Sequence, residues 1–578
     1  ITSALEISGI STLTIAQSGG VTFDDAVTTT TAVVLTDTAD NADIIFTGAL
    51  TTGTLTTQAQ QYDLFLNGGG TIGAATLINT GTLQIGTGTV TTTFNTAISA
   101  TSQSAITLAG TVTTSDDIIT LGDGDTGITL AENTTITSGT AALNIGGTIA
   151  GNNKTLILNS TGLTTLSGDL TALTTLLTDA GGGTKLAAGV DITTTGTMTF
   201  NDELTLVGAS ILDADDDIIT LKAVTGGAGT ENLTVNSGTA RTEFDGIVSA
   251  IETLTIQDSG GVTFDAAVTT NTAVILTSSA TNADIIFTGA LTTATLTTQA
   301  VQYDLFLNGG GTIGAATLIN TGTLQIGTGT VTTTFNTAIS ATSQSAITLA
   351  GTVTTSDDII TLGDGDTGIT LAENTTITSG TAALNIGGTI AGNNKTLILN
   401  STGLTTLSGD LTALTTLLTD AGGGTKLAAG VDITTTGTMT FNDELTLVGA
   451  SILDADDDII TLKAVTGGAG TENLTVNSGT ARTEFDGIVS AIETLTIQDS
   501  GGVTFDAAVT TNTAVVLTDT ADGADIIFAG NLSTATLNVA AEAFNVEINE
   551  DANITNAVTF SNTGLLVLGD GTDDNLTF

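Results

Sequence analysis

In 578 residues the chain has no cysteine, no proline, no tryptophan and no histidine, and only eight basic residues. Without cysteine there is no disulfide framework and no thiol nucleophile. Without histidine the commonest general base is missing as well. The lack of cysteine does not indicate cytoplasm, because a long chain exported unfolded is better without thiols that cross-link. Without proline, no strand position loses its ladder donor. Aromatics make up 3% of residues, so any core is aliphatic. Eight bases against 59 acids leave a net charge of −51. That excludes nucleic acid, whose phosphates need basic patches, and disfavours anionic lipid. Cations are the natural counter-species. No signal peptide and no apolar run of membrane-spanning length occurs.

What is present is repetition. Residues 61–274 and 302–515 are the same 214-residue string, offset by 241. With substitutions the offset extends further: "VTFDDAV" begins at Val21, and "VTFDAAV" begins at Val262 and again at Val503. A fixed period marks a linear array. The organisation is read as 1–20, the end of a preceding repeat; 21–261, long repeat 1; 262–502, long repeat 2; and 503–578, a diverged partial repeat. All four are expected to form one continuous solenoid. The chain begins at Ile1 and ends at "NLTF" with no polar cap. Both ends are therefore expected to be cut points in a longer stack, or junctions with a next subunit.

A shorter period lies inside the long one. Its marker is an apolar–x–apolar triplet, as in Val21/Phe23, Ile44/Phe46, Leu64/Leu66, Leu83/Ile85, Ile106/Leu108 and Ile128/Leu130. Met198/Phe200, Ile219/Leu221, Leu233/Val235 and Leu254/Ile256 follow later. Period two within a triplet puts both side chains on one face. Recurrence at about 21 residues returns the chain to the same place after one circuit. Gly, Asn and Asp between triplets, as in "LNGGG" at 66–70, are turn residues. Thr, Val and Ile suit pleated strands, and 40% apolar content can fill a core. The expected fold is all-β: a parallel β-helix or β-solenoid with about 20–23 residues per coil, each coil of two or three short strands. At about 4.8 Å per coil, ~11 coils make a long repeat of roughly 53 Å. The segment "LTALTTLL" at 170–177 has helical spacing, but its Thr density and flanking Gly favour strands. A β-sandwich array would show periods of about 90–100 residues and Pro-rich linkers, and neither occurs.

Candidate sites each have a structural alternative. Phe23, Phe46 and Phe65, with Phe264, Phe287 and Phe306, form either an aromatic strip for carbohydrate or a stacked core. Inward parity of Phe23 and Phe46 favours the core. Asp43 and Asp63 lie one coil apart, so their carboxylates approach to ~5 Å. Their repulsion is roughly 3 kcal/mol at an effective dielectric near 20, and about 1 kcal/mol when fully hydrated. Calcium would relieve it. Denser clusters stand at Asp116, Asp117, Asp123 and Asp125, and at Asp213, Asp215, Asp216 and Asp217. Their copies are Asp357, Asp358, Asp364 and Asp366, and Asp454, Asp456, Asp457 and Asp458. All are candidate calcium ligands; the alternative is solvated turn aspartates. No calcium β-roll nonapeptide or EF-hand spacing is present, and no cofactor is required. Acid-polysaccharide chemistry would pair Asp with a base. Here the bases are only Lys154, Lys185, Lys222 and Arg241 with their copies Lys395, Lys426, Lys463 and Arg482, so no enzyme is expected. Ice binding needs Thr in one register in every coil, whereas the Thr of this chain are expected to wander between faces. Sequons at Asn133, Asn153, Asn159, Asn232, Asn531, Asn553 and Asn575 would matter only where surface proteins are N-glycosylated.

Units such as "GGVTFDAAVTTNTAVVLTDTADGADIIFAG" (501–530) resemble the β-strand repeats of giant bacterial surface proteins, including filamentous-haemagglutinin-like adhesins and autotransporter passengers. The resemblance spans the chain in composition and period and carries over no functional residue. It implies a right-handed parallel β-helix, secretion as an unfolded chain, and an extracellular, cell-surface location. The functional expectation is a structural shaft of a secreted fibre or adhesin stalk, acting in attachment or biofilm matrix. Expected partners are like chains, end to end or laterally, with divalent cations or surface polysaccharide, and no membrane insertion in this segment. The alternative is a flank-binding module for polysaccharide, divalent cations or ice.

Overall fold

The computed structural model describes every residue except Ser278, Thr572 and Asp573. The fold is an all-β parallel β-solenoid of about 27 turns, with about 21 residues per coil and no helix among the described residues. The chain divides into two compact units, Ile1–Ala294 and Thr295–Phe578.

Each coil has three faces. In unit 1 one coil runs through strands Met198–Phe200, Leu204–Leu206 and Ser210–Asp213, then re-enters at Ile219–Leu221. Three-residue strands alternate buried, half-exposed, buried, so two side chains enter the core and one faces out. Period-two alternation in short segments yields this pattern only if the chain turns after each face. "LTALTTLL" lies within strand Leu170–Thr178, and Ala172 at φ +52° supplies the kink between two faces.

The corners explain the turn residues. Asp116, Asp215, Asp216, Asn152 and Asn153 adopt positive φ, a conformation that Asn and Asp tolerate. Gly48 and Gly68 stack at one corner, where a Cβ on Gly68 would fall 2.2 Å from the Gly48 carbonyl carbon. Coils pass too closely there for any side chain.

The core is aliphatic, with Phe stacked in file. Phe244, Phe264 and Phe287 stack at 4.6 and 4.5 Å, and Phe23 stacks on Phe46 at 4.9 Å. Strand spacing in a sheet is ~4.8 Å, so the ladder itself sets the offset-stacked distance.

Strand register shows that one long repeat is not a whole number of coils. From Val21, twelve register steps within unit 1 lead to Leu276. At that pace 241 residues make about eleven and a third coils. Val262, the counterpart of Val21, accordingly lies on the column that starts at Val27, one face further on. In unit 2, Val546, the counterpart of Leu305, lies on the column of Gly311. The triplet series read from sequence therefore changes face. Ile44/Phe46 is on the column of Val21, and Met198/Phe200 is on that of Val27.

Candidate functional site

Asp43 and Asp63 are register neighbours, as their spacing implies. The Asp63 carboxylate is occupied: its Oδ1 accepts the Thr82 backbone N–H at 2.5 Å. In unit 2 the Asp304 Oδ1 accepts from Thr323 in the same way. In the diverged repeat the position is Asn545, whose Oδ1 accepts from Leu565 N at 2.6 Å while its Nδ2 donates to Asp525 Oδ1 at 2.7 Å. The oxygen that holds the next coil persists although the charge is gone. That is the behaviour of a corner brace.

The other candidates divide into cross-coil braces, acceptors within their own loop, and exposed corner residues. Asp116 Oδ1 accepts from Thr140 N at 3.1 Å, and Asp216 Oδ1 from Thr239 N at 2.8 Å, each bracing the following coil. Asp123 Oδ1 accepts from Thr126 Oγ1 and Asp125 N, and these bonds hold its carboxyl below the usual carboxylate range. Asp213 accepts from Asp215 N, and Asp217 from Ile218 N. Asp117 contributes its carbonyl, which accepts from Thr114 Oγ1. Asp357, Asp364, Asp454, Asp457 and Asp458 repeat these contacts in unit 2, and the Asp358 carbonyl accepts from Thr355 Oγ1. Asp125, Asp215, Asp366 and Asp456 sit at exposed corners. Among the described residues no three acidic side chains converge as a metal-holding group.

The aromatic strip divides by parity. Phe23, Phe46, Phe264 and Phe287 are buried. Phe65, in register with Ile45 and Gln84, is half-exposed. The bases are largely engaged. Lys154 pairs with Glu132 at 3.1 Å and Lys222 with Asp245 at 2.6 Å, while Arg241 donates to Thr263 Oγ1. In unit 2 Lys395 and Lys463 repeat the ion pairs, and Arg482 donates to Thr504 Oγ1. Lys185 and Lys426 make no ion pair among the described residues.

Two buried carboxylates escape a reading by sequence. Asp202 is 5% exposed and accepts from Thr178 Oγ1 at 2.7 Å and Thr184 Oγ1 at 2.8 Å. Burial pushes its carboxyl up, and the two hydroxyl donors offset only part of that. Glu231 is 1% exposed, with Ala228 N and Thr230 N donating to its two oxygens at 2.9 Å. Burial raises it, but the backbone donors of its own loop outweigh that and leave it below the usual range. A lone Glu after a glycine-rich turn, "GGAGTE", was the available signal. For Asp202 there was none.

Counted from the column of Val21 as the first face, the third face is the one that carries Leu204–Leu206, and in unit 1 it holds two rows in continuous register. Ser99, Thr120, Asn144, Thr165, Lys185, Thr205, Thr225 and Ser249 point outward in consecutive register. Thr are thus not scattered on this face, though outward residues on the first face are mixed, as Ile45, Phe65 and Gln84 show. Beside them runs a second row, at the position just before each strand, in which Ile118, Leu163 and Ile247 are half-exposed. A groove of about 380 Å³ opens at one end between Ile78, Ala97, Ile118, Ser99 and Thr120. Neither a protein-family model, nor a curated protein, nor a solved structure matches this chain.

Proposed function

We propose that this protein is a structural element of an extracellular fibre, a shaft or adhesin stalk whose useful property is repeated length. One observation carries the reading: the buried bridges and ion pairs recur after 241 residues. The Thr178–Asp202–Thr184 bridge at 2.7 and 2.8 Å recurs as Thr419–Asp443–Thr425 at 2.7 and 2.8 Å. The Lys154–Glu132 pair recurs as Lys395–Glu373. A catalyst gains nothing from a second copy of every contact, whereas a stack gains a further set of coils. The engaged corner carboxylates and paired bases support the same reading. So does the resemblance to surface β-strand repeats, which also supports a cell-surface location.

Deletion of residues 61–301 tests it. Gln60 then meets Gln302, which stands in the sequence as Gln61 does. The shortened chain should fold and be exported, with attachment or matrix formation reduced in proportion to length. Outright loss of one binding or enzymatic activity in a folded deletion would refute the reading.

The uninterrupted row from Ser99 to Thr165 favours one second reading, a flank that binds neutral polysaccharide through hydroxyl contacts. Co-sedimentation with insoluble polysaccharide, abolished by Thr120→Lys with Thr165→Lys, would support it.

A further inference from the structure

We propose that the third face of unit 1 is a self-association surface whose partner is a second copy of this chain, packed antiparallel. The paired arrangement extends the shaft reading but fails separately from it.

The row beside the hydroxyls is fixed by its carbonyls. Those of Ile118, Ala142, Leu163, Ala223, Ile247 and Ala267 accept from successive strands of this face. Gly183 and Glu203 occupy the two central places. Ile118 and Leu163 are 46% exposed and Ile247 53%, the most exposed large apolar side chains of unit 1 beyond its first coil. On a chain of charge −51, the row holds one acid, Glu203, and the neighbouring row one base, Lys185. Two like-charged copies can approach here without burying a line of carboxylates.

The order of residues is self-complementary. A two-fold axis lying in the face, crossing it between Gly183 and Glu203, runs the second copy in the opposite direction and lays row on row. Ile118 then meets Ala267 of the second copy, Ala142 meets Ile247, and Leu163 meets Ala223. Every large side chain faces a small one, as an isologous contact requires. Gly183 leaves room for Glu203 of the second copy, and Lys185 comes level with that carboxylate. Lys185 has no ion pair within its own chain among the described residues, so the contact supplies the partner its own fold does not. Unit 2 carries the same stripe, with Lys426, Glu444 and half-exposed Ile359, Leu404 and Ile488.

The test is sedimentation velocity of the full chain over a range of concentrations and sodium chloride, since added salt screens the flanking aspartates. Association is expected. It should weaken about tenfold or more, the order expected for a like-charge contact, in Lys185→Glu with Lys426→Glu. Glu203→Lys with Glu444→Lys should weaken it comparably, and the four changes together should restore it. Strand content by circular dichroism should be unchanged throughout, because all four positions are on the surface. A chain carrying Ile118→Cys and Ala267→Cys should oxidise to a covalent dimer, and either change alone should do so far less. Four outcomes overturn the proposal: no association at any soluble concentration, association indifferent to the charge changes, association lost to a chelator, or polysaccharide binding through this stripe by a chain that stays single. None of them touches the deletion test of the shaft.

Discussion

Phe264→Ala would cut the middle ring from the file Phe244–Phe264–Phe287. The ring is fully buried and stacked on both sides, at 4.6 and 4.5 Å. Truncating a core Phe costs about 3–5 kcal/mol, and each stacked pair is worth a further ~0.5–1.5 kcal/mol. The upper part of that range applies, because the strand ladders hold the two neighbouring rings apart and the cavity cannot collapse. About 5 kcal/mol is expected. In a linear array this loss is local, and a single melting temperature would mislead. Native-state hydrogen exchange reads it directly. Amides of Arg241–Phe244, Gly261–Phe264 and Asp284–Phe287 should exchange about a thousandfold faster or more, at tenfold per 1.4 kcal/mol, with protection ten coils away unchanged. Phe65→Ala, on a half-exposed ring, should cost less than about 1 kcal/mol. Unchanged protection at Phe244 and Phe287, or a loss spread evenly over the unit, would refute the claim that stacked files carry the local stability.

Asp202→Asn should stabilise its coil at pH 7 by about 1 kcal/mol. The folded carboxyl is raised above its unfolded value by burial, so its contribution is favourable in acid and is lost as pH rises through the folded pKa. The variant should flatten the fall in protection between pH 4 and 7. Glu231→Gln should act oppositely. That carboxylate is held low by its loop, its stabilisation is present above the unfolded pKa and is lost as pH falls, and the variant should cost about 1–3 kcal/mol at pH 7, read by exchange of the Ala228 and Thr230 amides. Thr92→Val should stabilise by roughly 1 kcal/mol, because the Thr92 hydroxyl is buried without a partner among the described residues and valine keeps its shape; a destabilised variant would reveal a bond to that hydroxyl. Asp63→Asn should leave exchange of the Thr82 amide nearly unchanged, while Asp63→Ala should cost about 1–2 kcal/mol there; equal losses would show that the charge, not the acceptor, matters.

The inward triplets were legible because a short strand against a core must alternate, and their 19–23-residue recurrence left no fold but a solenoid. Which face each triplet occupies was not legible. Ile44/Phe46 and Met198/Phe200 show the same local pattern on different columns, since alternation reports in or out and never which of three sides. The register of Asp43 on Asp63 was legible from their spacing, but the Thr82 N–H that the Asp63 carboxylate accepts was not. A carboxylate that braces a corner and one that awaits a cation look alike until the donor is placed. Asp202 was invisible because its burial depends on how Thr178 and Thr184, from different parts of the coil, close around it.

By itself, the sequence determined an all-β stack with an aliphatic core, tandem copies and an acidic exterior, because composition and period act on every coil alike. Only the tertiary structure decided the rest. It placed Ile118, Leu163 and Ile247 in one line, set Lys185 and Glu203 on adjoining rows of successive coils, and gave the long repeat its extra third of a coil. Those relations join residues about 20 or more positions apart through coils of unequal length. The physical reason is that register between coils is settled by hydrogen-bonded ladders and corner packing, which no local pattern records.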